Sequence, residues 1–533
     1  MSEVSPWWRG AAIYQVYVRS FADGNGDGIG DFEGLVSKLD YIASLGVDAI
    51  WLSPIHPSPN RDWGYDVSDF DAVNPEYGTE AEFDRLLVEA HARGLRVLTD
   101  EVLAHTSDEH AWFRASVDGG EQADWYVWAP PQDDGTAPNN WLSAFGGPAW
   151  SYHPARRQCY HHKFLRQQPK LNWHNARARE AALRVLDRWL ARGVDGFRLD
   201  VANAFLHDAT LGDNPPVPHA QRTARNWAHA TGLQSHCHDS NVNGNLAVLD
   251  EIRRRVERYP DRFVMGEFSE DPERCGAFAS PGEGLHSGYT FPLLEAHRPG
   301  PAFVREHYAW LSRYPEHWPS IAFSNHDVVR TVTRFGGEEA PPALARLLLA
   351  LLFALRGTVL LYQGEDLGLP EAELRRDQLK DPIGDLYYPL FRGRDGCRTP
   401  MPWDASAPNL GFTTGTPWLP MASAHRELAV SHQETQSDST LACARRLLAA
   451  RRKSPALRCG EIEFLDAPEP LLAFLRTFAD ERVLCVFNMS REEALFKDSR
   501  IAAGIPLPIA IGDAGISGNA LSVSPYGAWF ARL

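Results

Sequence analysis

Cysteine is scarce in this chain, and the little there is forms no framework. Seven cysteines, at positions 159, 237, 275, 397, 443, 459 and 485, are odd in number and scattered. That spacing suits reduced thiols in a cytosol rather than a set of disulfides. Long hydrophobic runs are missing as well. The longest candidate, 344–355, is interrupted by Arg346 and falls short of the roughly 18 apolar residues a membrane span needs. The N-terminal MSEVSPWWRG has no basic segment followed by an apolar stretch, so no signal peptide is read there. Basic charge is in deficit: 53 Lys and Arg face 69 Asp and Glu, a formal net charge of −16. This excludes a binder of nucleic-acid backbones and a binder of anionic membrane surfaces. Low-complexity segments and internal repeats are absent too. Aromatic residues are not: at 11% they exclude disorder as the main state. The expectation is a soluble, acidic, cytoplasmic protein with a large core. Its oligomeric state is unreadable.

At roughly 150 residues per domain, 533 residues make three or four domains, or fewer if one is a barrel. Short β-branched runs recur, each ending in a polar or charged residue. They lie at 13–17, 49–54, 97–102, 196–200, 263–267, weakly near Tyr289, and at 321–325 and 359–363. Helical patterns such as 80–93 and 176–192 separate them. Strands alternating with helices imply a parallel sheet, and eight such units over about 450 residues fit a (β/α)8 TIM barrel. The third and fourth runs are too far apart for a single helix and two loops. The excess, rich in Trp, Pro, Gly and Asn, reads as an inserted domain over 105–171. After Arg452 the pattern changes to short alternating runs, 471–475 and 483–487, which suggest an antiparallel β domain over 453–533. The barrel then comprises 1–104 and 172–452.

In a barrel the reactive groups sit at the C-terminal ends of the strands. Those ends carry Asp100 and His105, Arg198 and Asp200, Glu267, and His326 and Asp327. One acidic strand end is ordinarily a helix cap; four of them ask for another reason. Two carboxyl groups about 5–5.5 Å apart are the equipment for retaining glycoside hydrolysis. Asp200 and Glu267 lie on neighbouring strands, about 5 Å apart, which allows that separation.

Taken together, Asp100-Glu101-Val102-Leu103-Ala104-His105, Gly196-Phe197-Arg198-Leu199-Asp200, Met265-Gly266-Glu267 and Phe323-Ser324-Asn325-His326-Asp327 resemble the signature regions of glycoside hydrolase family 13, the α-amylase family. Tyr65-Asp66, Tyr362-Gln363-Gly364-Glu365 and Arg398-Thr399-Pro400-Met401-Pro402-Trp403 resemble its α-glucosidase and oligo-1,6-glucosidase branch. The resemblance implies Asp200 as nucleophile, Glu267 as acid and base, and Asp327 as the third carboxylate, bonding sugar hydroxyls. It implies Arg198 paired with Asp200, and His105 and His326 on glucose hydroxyls. Asp66 and Arg398 would grip the 4-hydroxyl end, with Tyr65 stacked under the ring. Glu270 is a rival acid, but Glu267 ends the β run. Phe145 and Phe164 are either core of the inserted domain or, as the resemblance favours, walls of the pocket mouth.

The stretch Asp23-Gly24-Asn25-Gly26-Asp27-Gly28-Ile29-Gly30-Asp31 places an oxygen side chain at every second residue around glycines, like the first half of an EF-hand loop. It is either a plain turn or a site for a hard cation. The resemblance implies structural Ca2+ or Mg2+ held by Asp23, Asn25, Asp27, the Ile29 carbonyl and Asp31. Where many relatives carry Asn before His105 this chain has Ala104, so calcium between barrel and inserted domain is not expected. His161-His162 and His236-Cys237-His238 match no zinc spacing. Trp7 and Trp8 read as packing, and 251–255 as a solvated helix face. The whole implies a retaining α-glucosidase acting on short α-glucosides such as maltose, with transfer to alcohol or phenol acceptors. The alternatives are a dedicated α-glucosyltransferase and an oligo-1,6-glucosidase. Val201 follows the nucleophile as in some α-1,6-active relatives, while the overall likeness is to maltose-active ones. No organic cofactor is expected.

Overall fold

The computed structural model describes residues 5–222, 230–268, 272–280, 282–297, 300–337 and 339–533. Eight strands form one sheet: β1 (Ala12–Val16), β2 (Ala49–Leu52), β3 (Arg96–Glu101), β4 (Gly196–Leu199), β5 (Phe263–Phe268), β6 (Ser287–Thr290), β7 (Ser320–Ala322) and β8 (Thr358–Tyr362). Every paired neighbour runs parallel, in the spatial order 6-5-4-3-2-1-8-7. The seam between β6 and β7 is bridged by side chains: the Ser287 hydroxyl lies 2.8 Å from that of Ser320 and donates to the Trp318 carbonyl at 2.7 Å. The strands are buried nearly throughout, as a parallel sheet covered on both faces requires, which is why they read as apolar runs. This is the expected TIM barrel, with each expected run falling on a strand.

The helices between them begin and end where local chemistry dictates. In Glu80–Ala92, Thr79 and Glu82 form a reciprocal capping box, and Phe83, Leu86, Leu87 and Ala90 form the buried stripe. Asn175 accepts the amides of Arg177 and Ala178 to start Ala176–Arg192, which Gly193 ends at φ +114°. In the helix Asn245–Val256 the charged run is less solvated than its sequence suggests. Only Arg254 is well exposed, while Arg255 pairs with Asp187 and Glu180 of Ala176–Arg192 and stitches the two helices together. Trp7 and Trp8 pack as expected: Trp8 stacks on Phe263, the first residue of β5, at 5.1 Å. They cover the end of the barrel opposite Glu267.

Between β3 and β4 lie the helix Ala111–Asp118 and an antiparallel sheet of Trp128–Ala129, Gln158–His161 and Trp150–His153. Trp141, Trp150, Cys159 and Val127 form its own small core. The chain leaves and re-enters the barrel side by side, His105 bridging Lys170. Beyond Thr440–Lys453 come a five-stranded and a three-stranded antiparallel sheet. Their longest strands, Leu471–Phe478 and Glu481–Asn488, contain the expected alternating runs. No helix among the described residues is long and apolar enough to cross a membrane.

Candidate active site

Register brings the first group together. In the β4–β5 pair Leu199 faces Gly266, so the next residues, Asp200 and Glu267, emerge side by side. Gly266 permits this closeness, since a Cβ there would stand 2.8 Å from the Ala202 side chain, in the turn after Asp200. Arg198, fully buried, sits beneath both. Its Nη1 donates to Asp200 at 2.8 Å and to Asp100 at 2.7 Å, and its Nη2 lies 2.5 Å from Glu267 Oε1. The Tyr289 hydroxyl, on β6, donates to Glu267 at 3.0 Å and accepts from Arg198. Between the two carboxyls Val201 is held at φ +44°, ψ +49°, a costly region for a β-branched residue, and its amide faces Glu267 Oε2 at 3.4 Å.

The opposite wall is built from later segments. Arg398 Nη2 donates to Asp327 at 2.9 Å, and its Nε donates to the His326 carbonyl. Arg394, four residues earlier, donates to Asp327 at 3.1 Å, Asp62 at 2.7 Å and Asp381 at 2.8 Å. Its guanidinium lies 5.3 Å above the Phe145 ring. A hydrogen-bond chain joins the two walls. The Gln15 amide donates to His326 Nδ1 at 2.7 Å, which leaves the imidazole proton on Nε2, beside the Tyr65 hydroxyl at 2.5 Å. Tyr65 in turn donates to Asp100 at 2.9 Å.

Titration follows the charge balance. Burial pushes the Asp100, Asp200 and Glu267 carboxyls each up to about 7, against the pull of Arg198. One guanidinium cannot neutralise three carboxylates, so this cluster holds a proton near neutrality. Burial would also raise Asp327, but the His326 edge and the two arginines outweigh it and hold Asp327 well below the usual range. Asp381 is brought to about 2 because Arg394 overcomes its burial, whereas Asp62 stays above its usual value. Burial lowers His326 to about 3 and His105 to about 4, so both imidazoles are neutral.

The structure thus gathers Asp200, Glu267, Asp327, Arg198, His326, Arg398 and Tyr65. One face of Tyr65 is covered by His326, the rings 5.2 Å apart and nearly parallel. His105 donates from Nε2 to the Tyr65 carbonyl at 2.9 Å and lies tilted against Phe164, the ring centres 5.3 Å apart. Phe164 meets Phe145 at 5.7 Å, so the two phenylalanines run from His105 to Arg394 and stand outside the inserted segment's own core. Asp66 is placed otherwise than expected. Both its oxygens are spent inside its own loop, on the Ser58 hydroxyl and the amides of Arg61 and Asp62. Asp62, four residues earlier, instead faces Arg394 at 2.7 Å. Sequence reasoning missed Asp62, Arg394, Asp381, Tyr289 and Gln15. Glu270 lies outside the described residues.

The Asp23–Asp31 loop is closed on itself. Its oxygens accept its own amides: Asp23 those of Asn25, Gly26 and Gly28, Asn25 that of Asp27, Asp27 that of Ile29, and Asp31 those of Gly24, Asn25 and Gly34. Among the described residues no group of three or more His, Cys, Asp or Glu is disposed to hold a metal ion. The loop is also tied to a later segment. It docks on the segment around 412–418, where Thr413 donates to Asp23 and the Trp418 amide to the Gly28 carbonyl. His236 and His238 pair with Asp239 and Asp208. Beside Ala104, the Lys170 ammonium donates to the carbonyls of Ala204 and Phe205.

Comparison with known proteins agrees with this architecture. The model of the α-amylase catalytic domain matches residues 15–460. A probable alpha-glucosidase of Rhizobium meliloti (strain 1021) is 47% identical over 536 residues, 99% of this chain and 97% of the relative. An oligo-1,6-glucosidase of Heyndrickxia coagulans is 35% identical over 533 residues, 92% of this chain and 94% of the relative. The solved structure of the alpha-glucosyl transfer enzyme XgtA is 47% identical, covers 99% of this chain and 100% of its own, and superposes with a TM-score of 0.96. With eight parallel strands, carboxyl groups at their C-terminal ends and relatives matched over almost the full length, this chain belongs to the α-amylase family of glycoside hydrolases.

Proposed function

We propose that the protein is a retaining α-glucosidase that removes the terminal glucose of short α-glucosides such as maltose and passes it to water or to an alcohol or phenol. The observation that carries this reading is the pairing of Asp200 and Glu267 on adjacent strands over a single guanidinium. Asp200 attacks the anomeric carbon and forms a β-glucosyl ester. Glu267 gives the shared proton to the leaving oxygen, then takes one from the incoming hydroxyl. Asp327, kept ionised by Arg394 and Arg398, accepts from ring hydroxyls. Asp62 and Arg394 close the blind end, which favours release of one glucose at a time.

Transfer has support of its own. Phe145 and Phe164, between His105 and Arg394, would give the pocket mouth an aromatic side, where a bulky alcohol outcompetes water by burying its ring. The neighbour XgtA is described as a transfer enzyme. Val201 after the nucleophile speaks for α-1,6 linkages and the overall likeness for maltose; the rates on maltose and isomaltose decide between them. A structural Ca2+ or Mg2+ at the 23–31 loop is a separate proposal. What supports it is the oxygen at every second residue; the ion would have to draw those oxygens from the amides they now accept.

The test is incubation with maltose and with isomaltose, each with and without an aromatic alcohol. The first-formed sugar is read by proton NMR before it mutarotates. The α anomer and an aryl α-glucoside are expected. A β product would remove Asp200 as nucleophile, and an α product without transfer would leave hydrolysis alone.

A further inference from the structure

Asp200 stands on a turn that does not hold itself. It is followed by Val201 at φ +44° and by the short helix Ala202–Ala204. A β-branched residue stays in that region only when its surroundings impose it. Three contacts do so. Asn245, the first residue of the helix Asn245–Val256, donates to the Ala202 carbonyl at 2.8 Å and accepts the Leu206 amide at 3.2 Å. The Asn203 side chain donates to that of Asn241 at 3.0 Å, and the Asn241 amide donates back to the Asn203 carbonyl at 2.8 Å. Both of these grips come from the barrel itself. The third comes from the inserted segment: the Lys170 ammonium donates to the carbonyls of Ala204 and Phe205, the latter at 3.1 Å. We infer that Lys170 is a positioning residue for catalysis, clamping the 201–205 turn in the conformation that sets Asp200 beside Glu267. That Asp200 is the nucleophile rests on the function proposed above; that the turn needs a clamp from outside does not.

The charge sets this clamp apart from the other two. Lys170 is 2% exposed, and a buried ammonium is costly unless an anion meets it. Among the described residues no ion pair joins Lys170 to a carboxylate. Asp239 pulls on its charge but is engaged elsewhere, by Lys163 at 3.3 Å, His236 at 2.9 Å and Asn214 at 3.0 Å. Burial lowers Lys170 to about 7, the mark of that cost. A methionine would fill the same space without it, so packing alone does not account for the lysine. What the ammonium adds is several donors on one atom, each bond stronger than one between neutral groups. One side chain therefore holds two successive carbonyls at the far end of the turn.

The main chain of Lys170 shows what the clamp is anchored to. Its amide donates to the His161 carbonyl at 2.9 Å, its carbonyl accepts the Val127 amide at 3.2 Å, and it bridges His105. Two residues earlier, Gln168 donates to Asp62 at 3.0 Å and to the Tyr65 carbonyl at 3.3 Å. One short stretch at the exit of the inserted segment thus grips the blind end of the pocket through Gln168 and the turn after Asp200 through Lys170. The Val201 amide, which faces Glu267 at 3.4 Å, is held by the same clamp.

The test is a double-mutant cycle of Lys170→Met and Val201→Gly in the full chain, read with p-nitrophenyl α-glucoside. Lys170→Met alone should lower kcat about 10²-fold, the cost of displacing a reacting group by about 1 Å. KM and the inhibition constant of glucose should stay within about threefold. Glycine adopts positive φ without strain, so in the Val201→Gly background the same substitution should cost less than about tenfold. Lys170→Gln, which keeps a donor for one of the two carbonyls, carries the same cycle with smaller losses and serves where methionine at 170 does not fold. An equal loss in both backgrounds overturns the inference, because the lysine would then not act through the turn. So does a kcat within twofold of wild type, or a loss confined to KM. Hydrogen exchange of the 201–206 amides needs no substrate and should speed up about tenfold in Lys170→Met. Unchanged exchange overturns the clamp whether or not the protein cleaves. A near wild-type rate for Asp200→Asn would instead sink the proposed function, and the exchange measurement would still be readable.

Discussion

The two walls of the pocket use the same residue types and reach opposite electrical states. On the β3–β5 side one guanidinium, Arg198, serves Asp100, Asp200 and Glu267, and all three carboxyls are pushed up to about 7. On the far side two guanidiniums, Arg394 and Arg398, meet at Asp327, which is held well below the usual range. Asp327 keeps 20% of its side chain exposed, against 8% or less for the other three, so it is desolvated less. It also has more cations to itself, and both differences push the same way. In the proposed reaction, a wall short of cations stores the proton for transfer, and a wall rich in them keeps a permanent acceptor for sugar hydroxyls.

Removing the reactive group of the first wall should have the largest effect. Asp200→Asn should lower turnover of p-nitrophenyl α-glucoside at least about 10⁴-fold with melting unchanged, because an amide forms no glucosyl ester. A rate near wild type would dissolve the distinction between the walls. Glu267→Gln should cost about 10³-fold on maltose and much less on α-glucosyl fluoride, whose leaving group needs no proton. Equal losses on both would remove the stored proton from the account.

The far wall is sharpened by Arg394→Gln. Losing one of its two cations should raise KM and cut kcat/KM about 10²-fold. The pKa of Asp327 should rise, so activity should fail at a higher pH on the acid side. An unmoved acid limb would mean that Arg398 alone sets Asp327.

Stability should separate the walls along the pH axis. The first wall's carboxyls have folded values raised to about 7, against roughly 4 unfolded, so their contribution declines as pH rises from about 4 to about 7. Asp381, depressed to about 2, contributes above about 4 and loses that contribution only as pH falls towards 2. Urea midpoints of wild type and of Asp100→Asn across this range would check the sign: the variant should lose part of the decline between 4 and 7. The smallest effect is expected of a chelator. It should lower the melting temperature by a few degrees and leave the rate at 25 °C alone, since an ion that binds only the folded loop acts through mass action. Immediate loss of activity without a change in melting would place an ion among the carboxyls instead.

Much of the first wall was legible in the sequence. Each of its groups lies within one residue of a strand's C-terminal end, and strands buried on both faces announce themselves as apolar runs. Tyr289 was less visible because β6 is short and interrupted by glycine. The far wall was legible only where it too follows a strand, at His326 and Asp327. Asp62 and Asp66 share one loop and four residues of spacing. Which of them is free for the pocket is decided by backbone amides that no side-chain pattern reports. Arg394 looks like any solvent-facing arginine until Asp62, Asp327 and Asp381 are seen converging on it. The 23–31 loop shows the converse, since its oxygen spacing serves its own amides as readily as a cation.

The chain from Gln15 through His326 and Tyr65 to Asp100 has a direction. At one end an amide NH2 group can only donate, and at the other Asp100 Oδ2 accepts from the phenol and from the Trp51 indole. The imidazole and the phenol between them have no remaining choice of orientation. Their bond dipoles are aligned before any substrate arrives, positive ends towards Asp100. They add to the field of Arg198 without adding a charge that would need desolvation. Water in the same place would have to turn as charge develops on the sugar. This row of neutral groups does not turn, so the reorganisation energy of that part of the pocket is met when the protein folds rather than at each turnover.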